Sequence, residues 1–103
     1  MTDDEYDRIL KTTAPFDAAE YLDDDETQAG LLSDALASGD LDVITSAFGV
    51  VARARGMTEL AQKTGLTRSA LYAALKEGGN PTLDTVLKVV KALGVQLKVN
   101  RAA

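Results

Sequence analysis

Arg68 and Ser69 are the two residues whose types and position best suit recognition of another molecule. A guanidinium donates two parallel hydrogen bonds to O6 and N7 of guanine, and a Ser hydroxyl bonds to several base edges. Both residues follow Thr67, a good helix N-cap, and neither is needed for a core. We therefore expect them to read bases in duplex DNA. Tyr72, one turn further on, either contacts a phosphate or a thymine methyl, or simply covers the helix pair.

Five residues around this segment have the chemistry to hold DNA phosphates without reading sequence. Lys and Arg side chains neutralise phosphate charge, and hydroxyl groups donate hydrogen bonds to phosphate oxygens. The predicted phosphate contacts are Thr58, Thr67, Lys76, Arg53 and Arg55. The Gly78-Gly79 loop is predicted to be a turn, because the Gly-Lys-Ser/Thr sequence of a phosphate-binding P-loop does not follow it.

Two short helices must position these side chains. Thr58 is predicted to cap the first helix, which ends at Gly65, and Thr67 caps the second. Gly65 permits the positive φ of a sharp turn, and Leu66 fills the angle between the helices. The second helix is expected to bury Ala70, Leu71, Ala74 and Leu75. This spacing matches a helix-turn-helix, whose second helix enters the major groove; a plain packing unit of two helices is the alternative.

Three flanking helices complete an expected all-α fold of five helices. Two of them precede the pair, over residues 23–39 and 40–56, each opening on an Asp and closing on a Gly. The last helix begins after Thr82 and ends at Gly94. Its apolar face is predicted to consist of Leu83, Val86, Leu87, Val90 and Leu93.

Residues 95–99 alternate between apolar and polar types, which predicts a short C-terminal β-strand. A lone strand leaves its backbone unpaired, so we expect pairing with a second copy in a two-fold homodimer. The residues of this contact would be Val95, Leu97 and Val99. The chain is thereby divided into an acidic, partly mobile N-terminal arm over residues 1–22 and a helix-turn-helix domain over residues 23–103.

The residue types that the sequence lacks exclude several classes of function. There is no Cys and no His, so thiolate and imidazole metal ligands and the commonest acid–base catalyst are all missing. We expect no metal, no cofactor and no enzymatic activity. The N-terminus lacks the basic and apolar regions of an export signal, and no apolar run approaches the ~20 residues that cross a bilayer. These features predict a cytoplasmic protein with no membrane partner.

The net charge of −5 hides two halves of opposite sign. Residues 1–50 contain thirteen acidic and two basic residues, whereas residues 51–103 contain nine basic and three acidic ones. Such asymmetry favours separate partners, one basic and one anionic; solvated surface on both halves is the alternative.

Several blocks of the sequence, in order, resemble the addiction-module antidote proteins, the HigA-like antitoxins of the Xre helix-turn-helix superfamily. The resemblance runs from about Phe16 to Val99. Its blocks are Phe16-Asp17-Ala18-Ala19-Glu20-Tyr21-Leu22, Ala52-Arg53-Ala54-Arg55-Gly56-Met57, Leu60-Ala61, Thr64-Gly65-Leu66-Thr67-Arg68, Leu71-Tyr72, Ala74-Leu75, Gly79-Asn80-Pro81 and Leu93-Gly94. It implies a lambda-repressor-like bundle, and a type II antitoxin that neutralises a RelE/HigB-like toxin and represses its own operon.

The resemblance also implies that this toxin is a ribosome-dependent enzyme that cleaves mRNA. A protein that acts on RNA is expected to be basic, so the acidic half of this chain suits it as a partner. The expected toxin contacts are Asp17, Glu20, Tyr21, Asp23, Asp24, Asp25 and Glu26. Alternatively, the acids at 23–26 only favour a helix start. Two other functions stay open: a stand-alone phage-type repressor without a toxin, and a protein-interaction module that has lost DNA binding.

Overall fold

The computed structural model describes residues 24–102, which form five α-helices and no β-strand. The expectation of an all-α fold with five helices is therefore confirmed for this part of the chain. No helix in it is long and apolar enough to cross a membrane. The helices are α1 (Asp25–Ser38), α2 (Leu41–Arg55), α3 (Met57–Thr64), α4 (Arg68–Leu75) and α5 (Leu83–Leu93).

Side-chain caps fix where four of the helices begin. The Asp24 carboxylate accepts hydrogen bonds from the backbone N–H of Thr27 at 2.7 Å and from its hydroxyl at 2.9 Å. These bonds lower the pKa of Asp24 from its usual value, since they favour the charged form. The predicted caps Asp40, Thr67 and Thr82 are confirmed for α2, α4 and α5.

The core is built around α2, which packs against α1, α3 and α4. Phe48, Val51 and Ala52 of α2 are almost fully buried, and the same holds for Leu60 of α3 and Leu71 of α4. Helical spacing of the apolar residues placed all five on inner faces. The two short helices thus rest on one long helix that holds them in place.

Gly49 allows α2 and α4 to approach closely. A Cβ atom at this position would lie 2.8 Å from the Leu75 carbonyl oxygen, closer than real side chains come to a backbone atom. The contact joins residues that are far apart in sequence, and no local turn signal marks Gly49. Helical periodicity alone therefore did not single it out.

Arg55 ties together three helices. Its Nε donates a hydrogen bond to Oε1 of Gln28 at 2.6 Å, and its Nη2 donates to Asp25 Oδ1 at 2.8 Å and to the Leu93 carbonyl at 3.0 Å. The acceptors belong to α1 and α5, whereas Arg55 ends α2. Because Gln28 is buried, its amide requires such a partner.

The start of α3 and the buried face of α4 differ from the expectations. Helix α3 begins at Met57 after Gly56, whose φ is 104°, so the prediction that Thr58 is its N-cap was wrong. Met57 is buried, and its packing starts the helix two positions earlier. Ala70 is exposed, because the short α4 buries only Leu71 and Leu75 fully.

The buried face of α5 is rotated from the predicted one. Leu83 and Leu87 are 70% and 48% exposed, whereas Val89 is fully buried with Val90 and Leu93. Both sets of residues have helical spacing, so periodicity alone could not choose between them. The contact with α3 determines which residues of α5 are buried.

Residues 95–102 contain neither helix nor strand, and the expected C-terminal β-strand is not confirmed in the single chain. Val95 donates its N–H to the Val90 carbonyl at 3.3 Å and packs partly on the core. Beyond Val95, no other strand of the described part lies alongside to supply a ladder, which a strand needs.

Candidate nucleic-acid interface

A tight turn sets the angle between α3 and α4. Gly65 adopts a φ of 75°, in the left-handed region that favours glycine. The Thr64 hydroxyl donates to the Leu60 carbonyl at 2.7 Å and accepts the N–H of Leu66 at 3.2 Å. Thr67 then caps α4 by accepting the N–H of Ala70 at 3.0 Å. These hydrogen bonds fix the conformation of the turn and of the first turn of α4.

The exposed face of α4 presents the three predicted base readers together. Arg68 and Ser69 lie in its first turn and are exposed, and Tyr72 is 46% exposed. The Arg68 guanidinium carbon lies 6.0 Å from the centre of the Tyr72 ring, within cation–π range. Tyr72 therefore lies on the same face as Arg68 and orients its guanidinium.

The first turn of α3 lies open to solvent near this face. Thr58 is its exposed second residue, and no side chain caps the helix. The N–H groups of a first helical turn have no acceptor within the helix, and the helix dipole makes this end attractive to anions. Lys63, in the last turn of α3, forms an ion pair with Glu59 at 2.9 Å, so its charge is partly neutralised within the helix.

Helix α4 ends at Leu75. Its C-cap, Lys76, is another predicted phosphate contact. The Gly79 N–H donates to the Lys76 carbonyl at 2.9 Å, and Gly78 has a φ of 77°. A Cβ on Gly79 would overlap the Ala74 carbonyl oxygen and would lie 2.9 Å from that of Lys76. The glycine pair thus forms a turn that leaves the Lys76 side chain exposed beside α4.

The two predicted phosphate contacts at the end of α2 have different surroundings. Arg53 is exposed. Arg55 is only half-buried, but its guanidinium already donates to acceptors in α1 and α5. A phosphate would have to compete with these acceptors for Arg55.

The acidic residues expected to meet a toxin are described only in part. Asp17, Glu20, Tyr21 and Asp23 lie outside the described residues. Asp24 caps α1, and Asp25 forms an ion pair with Arg55 at 2.8 Å. Glu26 is exposed in the first turn of α1.

The predicted dimerisation residues lie in the tail that follows α5. Val95 is half-buried against the core, Leu97 is 44% exposed and Val99 is fully exposed. With α1 they border a groove of about 990 Å³. No group of three side chains able to hold a metal ion occurs within residues 24–102.

Sequence comparison identifies the family. The family described as "probable addiction module antidote protein" matches residues 12–101 of this chain. The chain belongs to this family. An uncharacterised protein of Haemophilus influenzae is 42% identical to it over 87 residues, which is 84% of this chain and 90% of that protein. No solved structure matches the chain.

Membership of the antidote family indicates an antitoxin role in an addiction module, with a toxin of some kind as partner. The resemblance stated from the sequence blocks is confirmed at this level. Two features of this antidote protein escaped the sequence: the close approach at Gly49 and the groove between α1 and the tail. Neither has a local signal, because each depends on elements that only the fold brings together.

Proposed function

We propose that this protein is the antitoxin of a type II toxin–antitoxin module, which neutralises a RelE/HigB-like toxin and binds its own operator DNA as a repressor. One observation carries the DNA-binding part: Arg68 and Ser69 lie exposed at the start of a helix held outward by the Gly65 turn. Family membership supports the antitoxin part. The absence of Cys and His from the sequence supports a binding role without imidazole or thiolate catalysis.

In this proposal α4 is the recognition helix of an Xre-type helix-turn-helix and lies in the major groove. Arg68 pairs with a guanine, and Ser69 bonds to a neighbouring base edge. The Tyr72 ring lies within cation–π range of the Arg68 guanidinium and would favour its outward orientation before DNA arrives. A cation that is already oriented loses less conformational entropy on binding.

Phosphate contacts would surround the recognition helix and fix its register on the duplex. The uncapped first turn of α3 with Thr58 is suited to one phosphate, and the Thr67 hydroxyl and Lys76 to others. Thr67 uses its oxygen to accept from Ala70, which leaves the hydroxyl hydrogen for a phosphate oxygen. Arg53 adds positive charge, and Arg55 adds to the positive electrostatic potential while its guanidinium stays hydrogen-bonded within the fold.

The repressor would act as a homodimer whose recognition helices enter successive major grooves ~34 Å apart. Residues 95–99 of two copies would pair, so that a β-strand forms only in the dimer and Val95, Leu97 and Val99 contribute to the interface. A chain lacking residues 95–103 is expected to sediment as a monomer. If it sedimented as the full-length dimer does, this mode of dimerisation would be wrong.

The experiment that tests the proposal combines purification and DNA binding. This chain is co-expressed with the product of the adjacent open reading frame, and the purified complex is titrated onto the upstream promoter at physiological salt. A duplex of shuffled sequence is the control, since non-specific binding through phosphates would shift both. A stable complex that shifts only the promoter supports the proposal. A specific shift without any complex would favour a stand-alone phage-type repressor instead.

A further inference from the structure

A groove runs between α1 and the C-terminal tail, and no residue of α4 lines it. Its floor is apolar and consists of Leu32, Leu36, Phe48 and Val90, and its volume is about 990 Å³. The α1 wall extends from Asp25 to Ala37, a length of about 18 Å at the helical rise. Depressions of this size with an apolar floor are typical of sites that receive side chains of a partner.

The α1 wall consists of small and acidic residues. Ala29, Ser33 and Ala37 are spaced four apart along α1 and are exposed, so a partner backbone can approach closely. Glu26 lies at one end of the same wall. The tail wall contributes one basic residue, Lys98.

The surface on which the groove lies is strongly acidic. Residues 24–52 contain six acidic residues and no basic one, and all six are exposed. Asp25 is neutralised in part by Arg55. Of these acids, Asp25 and Glu26 line the groove and Asp34 lies on the same helix, so the α1 wall stays negative beside the one basic lining residue, Lys98. The six acids are Asp24, Asp25, Glu26, Asp34, Asp40 and Asp42.

Charge decides between the candidate occupants. Duplex DNA is an anion and is repelled by this face. The first 23 residues of the chain carry seven acids and two bases, so they also have the wrong sign to be held there by charge. A protein that acts on RNA is rich in Lys and Arg, and a basic surface is attracted to an acidic one.

We propose that this groove is the docking site of the toxin, which inserts apolar side chains of a basic segment between α1 and the tail. The inference rests on the proposed antitoxin function and names its protein-binding surface. The apolar side chains contact Leu32, Leu36 and Phe48, while flanking Lys or Arg residues pair with Glu26 and Asp34. The acids before Asp24 are then not the centre of the contact.

The test fills the groove and leaves the rest of the molecule intact. Ser33→Arg places a long cation in the α1 wall, and the same exchange at exposed Ser46 of α2, outside the groove, is the matched control. The purified product of the adjacent open reading frame is titrated calorimetrically onto each variant of the full chain. Ser33→Arg is expected to raise Kd at least about tenfold, as changes at an interface anchor do, and Ser46→Arg to leave it nearly unchanged.

A second variant separates charge from shape. Glu26→Gln keeps the size of the side chain but removes one acid from the wall, so Kd is expected to rise about twofold to fivefold and its salt dependence to flatten. Glu77→Gln, in the loop after α4, is the control. Far-UV circular dichroism confirms that each variant folds.

The outcomes distinguish the groove from the broader function. If the adjacent product binds neither the wild type nor any variant, the antitoxin proposal falls, and the groove proposal with it. If it binds Ser33→Arg as tightly as the wild type, the groove is not the site although the antitoxin proposal stands. If Ser33→Arg instead dissociates a homodimer in sedimentation without changing toxin affinity, the groove is an interface between copies, which also overturns the inference.

Discussion

The pair α1–α2 and the pair α3–α4 share one core but present opposite surfaces. The first pair has helices of 14 and 15 residues and exposes six acids, whereas the second has two helices of 8 residues and exposes Arg68 and Lys76. The net charge of the chain describes neither surface. A small domain can thus face two partners of opposite charge, because its exposed acids cluster before Arg53 while Arg68 and Lys76 lie beyond it.

The two pairs also differ in what defines their binding surfaces. The exposed face of α4 is set by residues next to it in sequence, such as Gly65 and Thr67. The groove on α1 exists only because the tail returns alongside that helix after five helices have packed. Changes that damage one surface without the other can therefore test whether the two are independent.

The largest effect is expected from Gly79→Ala. Its Cβ would meet three backbone carbonyls at the end of α4, and a carbonyl in a turn cannot move aside as a flexible side chain can. We expect a loss of about 2 to 3 kcal/mol in the free energy of unfolding, in the upper part of the overpacking range, measured by urea denaturation. Asn80→Ala, exposed in the same loop, is the control. Equal stability of the two variants would show that the turn is not tight.

Operator affinity offers the next test, and it concerns only the α3–α4 surface. Arg68→Ala should cost roughly 1 to 3 kcal/mol on the promoter and relax the preference at one base position. Lys76→Ala should weaken all duplexes alike and reduce the slope of affinity against salt. Band shifts on the promoter and on single-base variants compare the two. If both variants acted identically on every duplex, the assignment of base reader and phosphate contact would be wrong.

The accuracy of the sequence-based predictions follows the same division between local and distant contacts. Asp40, Gly65, Thr67, Thr82 and Gly94 were predicted as caps or stops because each acts on backbone groups within a few residues. Capping and stop signals of this kind can be identified from neighbouring residues alone.

The failures concern choices that the local sequence leaves open. The faces of α5 containing Leu87 or Val89 have equal helical spacing, and only packing on α3 selects Val89. Thr58 is a good cap by type, but burial of Met57 starts α3 earlier. The exposure of Arg68 and Ser69 was predictable because polar residues directly after an N-cap need no tertiary information, and their role as base readers stays a prediction. The groove could not be predicted, because it depends on elements that only the fold brings together.

Arg55 joins the α1–α2 pair to α5, and its replacement tests how strongly. Lys cannot bridge three acceptors as a planar guanidinium does, so Arg55→Lys should lower the free energy of unfolding by about 1 to 2 kcal/mol. Arg101→Lys in the exposed tail is the matched control. Urea denaturation measures both variants. If Arg55→Lys were as stable as the control but weakened operator binding, Arg55 would act mainly on phosphate.

The smallest effect concerns Asp24, whose acid could serve either the helix or the toxin. Because the N–H and hydroxyl of Thr27 donate to it, the pKa of Asp24 is lower in the folded chain than its ordinary value of 3.8. A group with a lowered folded pKa contributes stability above its unfolded pKa and loses that contribution as the pH falls through the folded value. Asp24→Asn keeps a capping oxygen but does not titrate.

The advantage of the wild type over Asp24→Asn should therefore be present near pH 6 and shrink steadily as the pH falls below about 4. Urea denaturation of both chains at a series of pH values measures this difference. A stability difference that stays constant with pH would show that the charge of Asp24 does not contribute to capping. If Asp24→Asn changes stability in this way yet binds the toxin normally, the acids of α1 divide into a cap at its start and a binding wall beyond it.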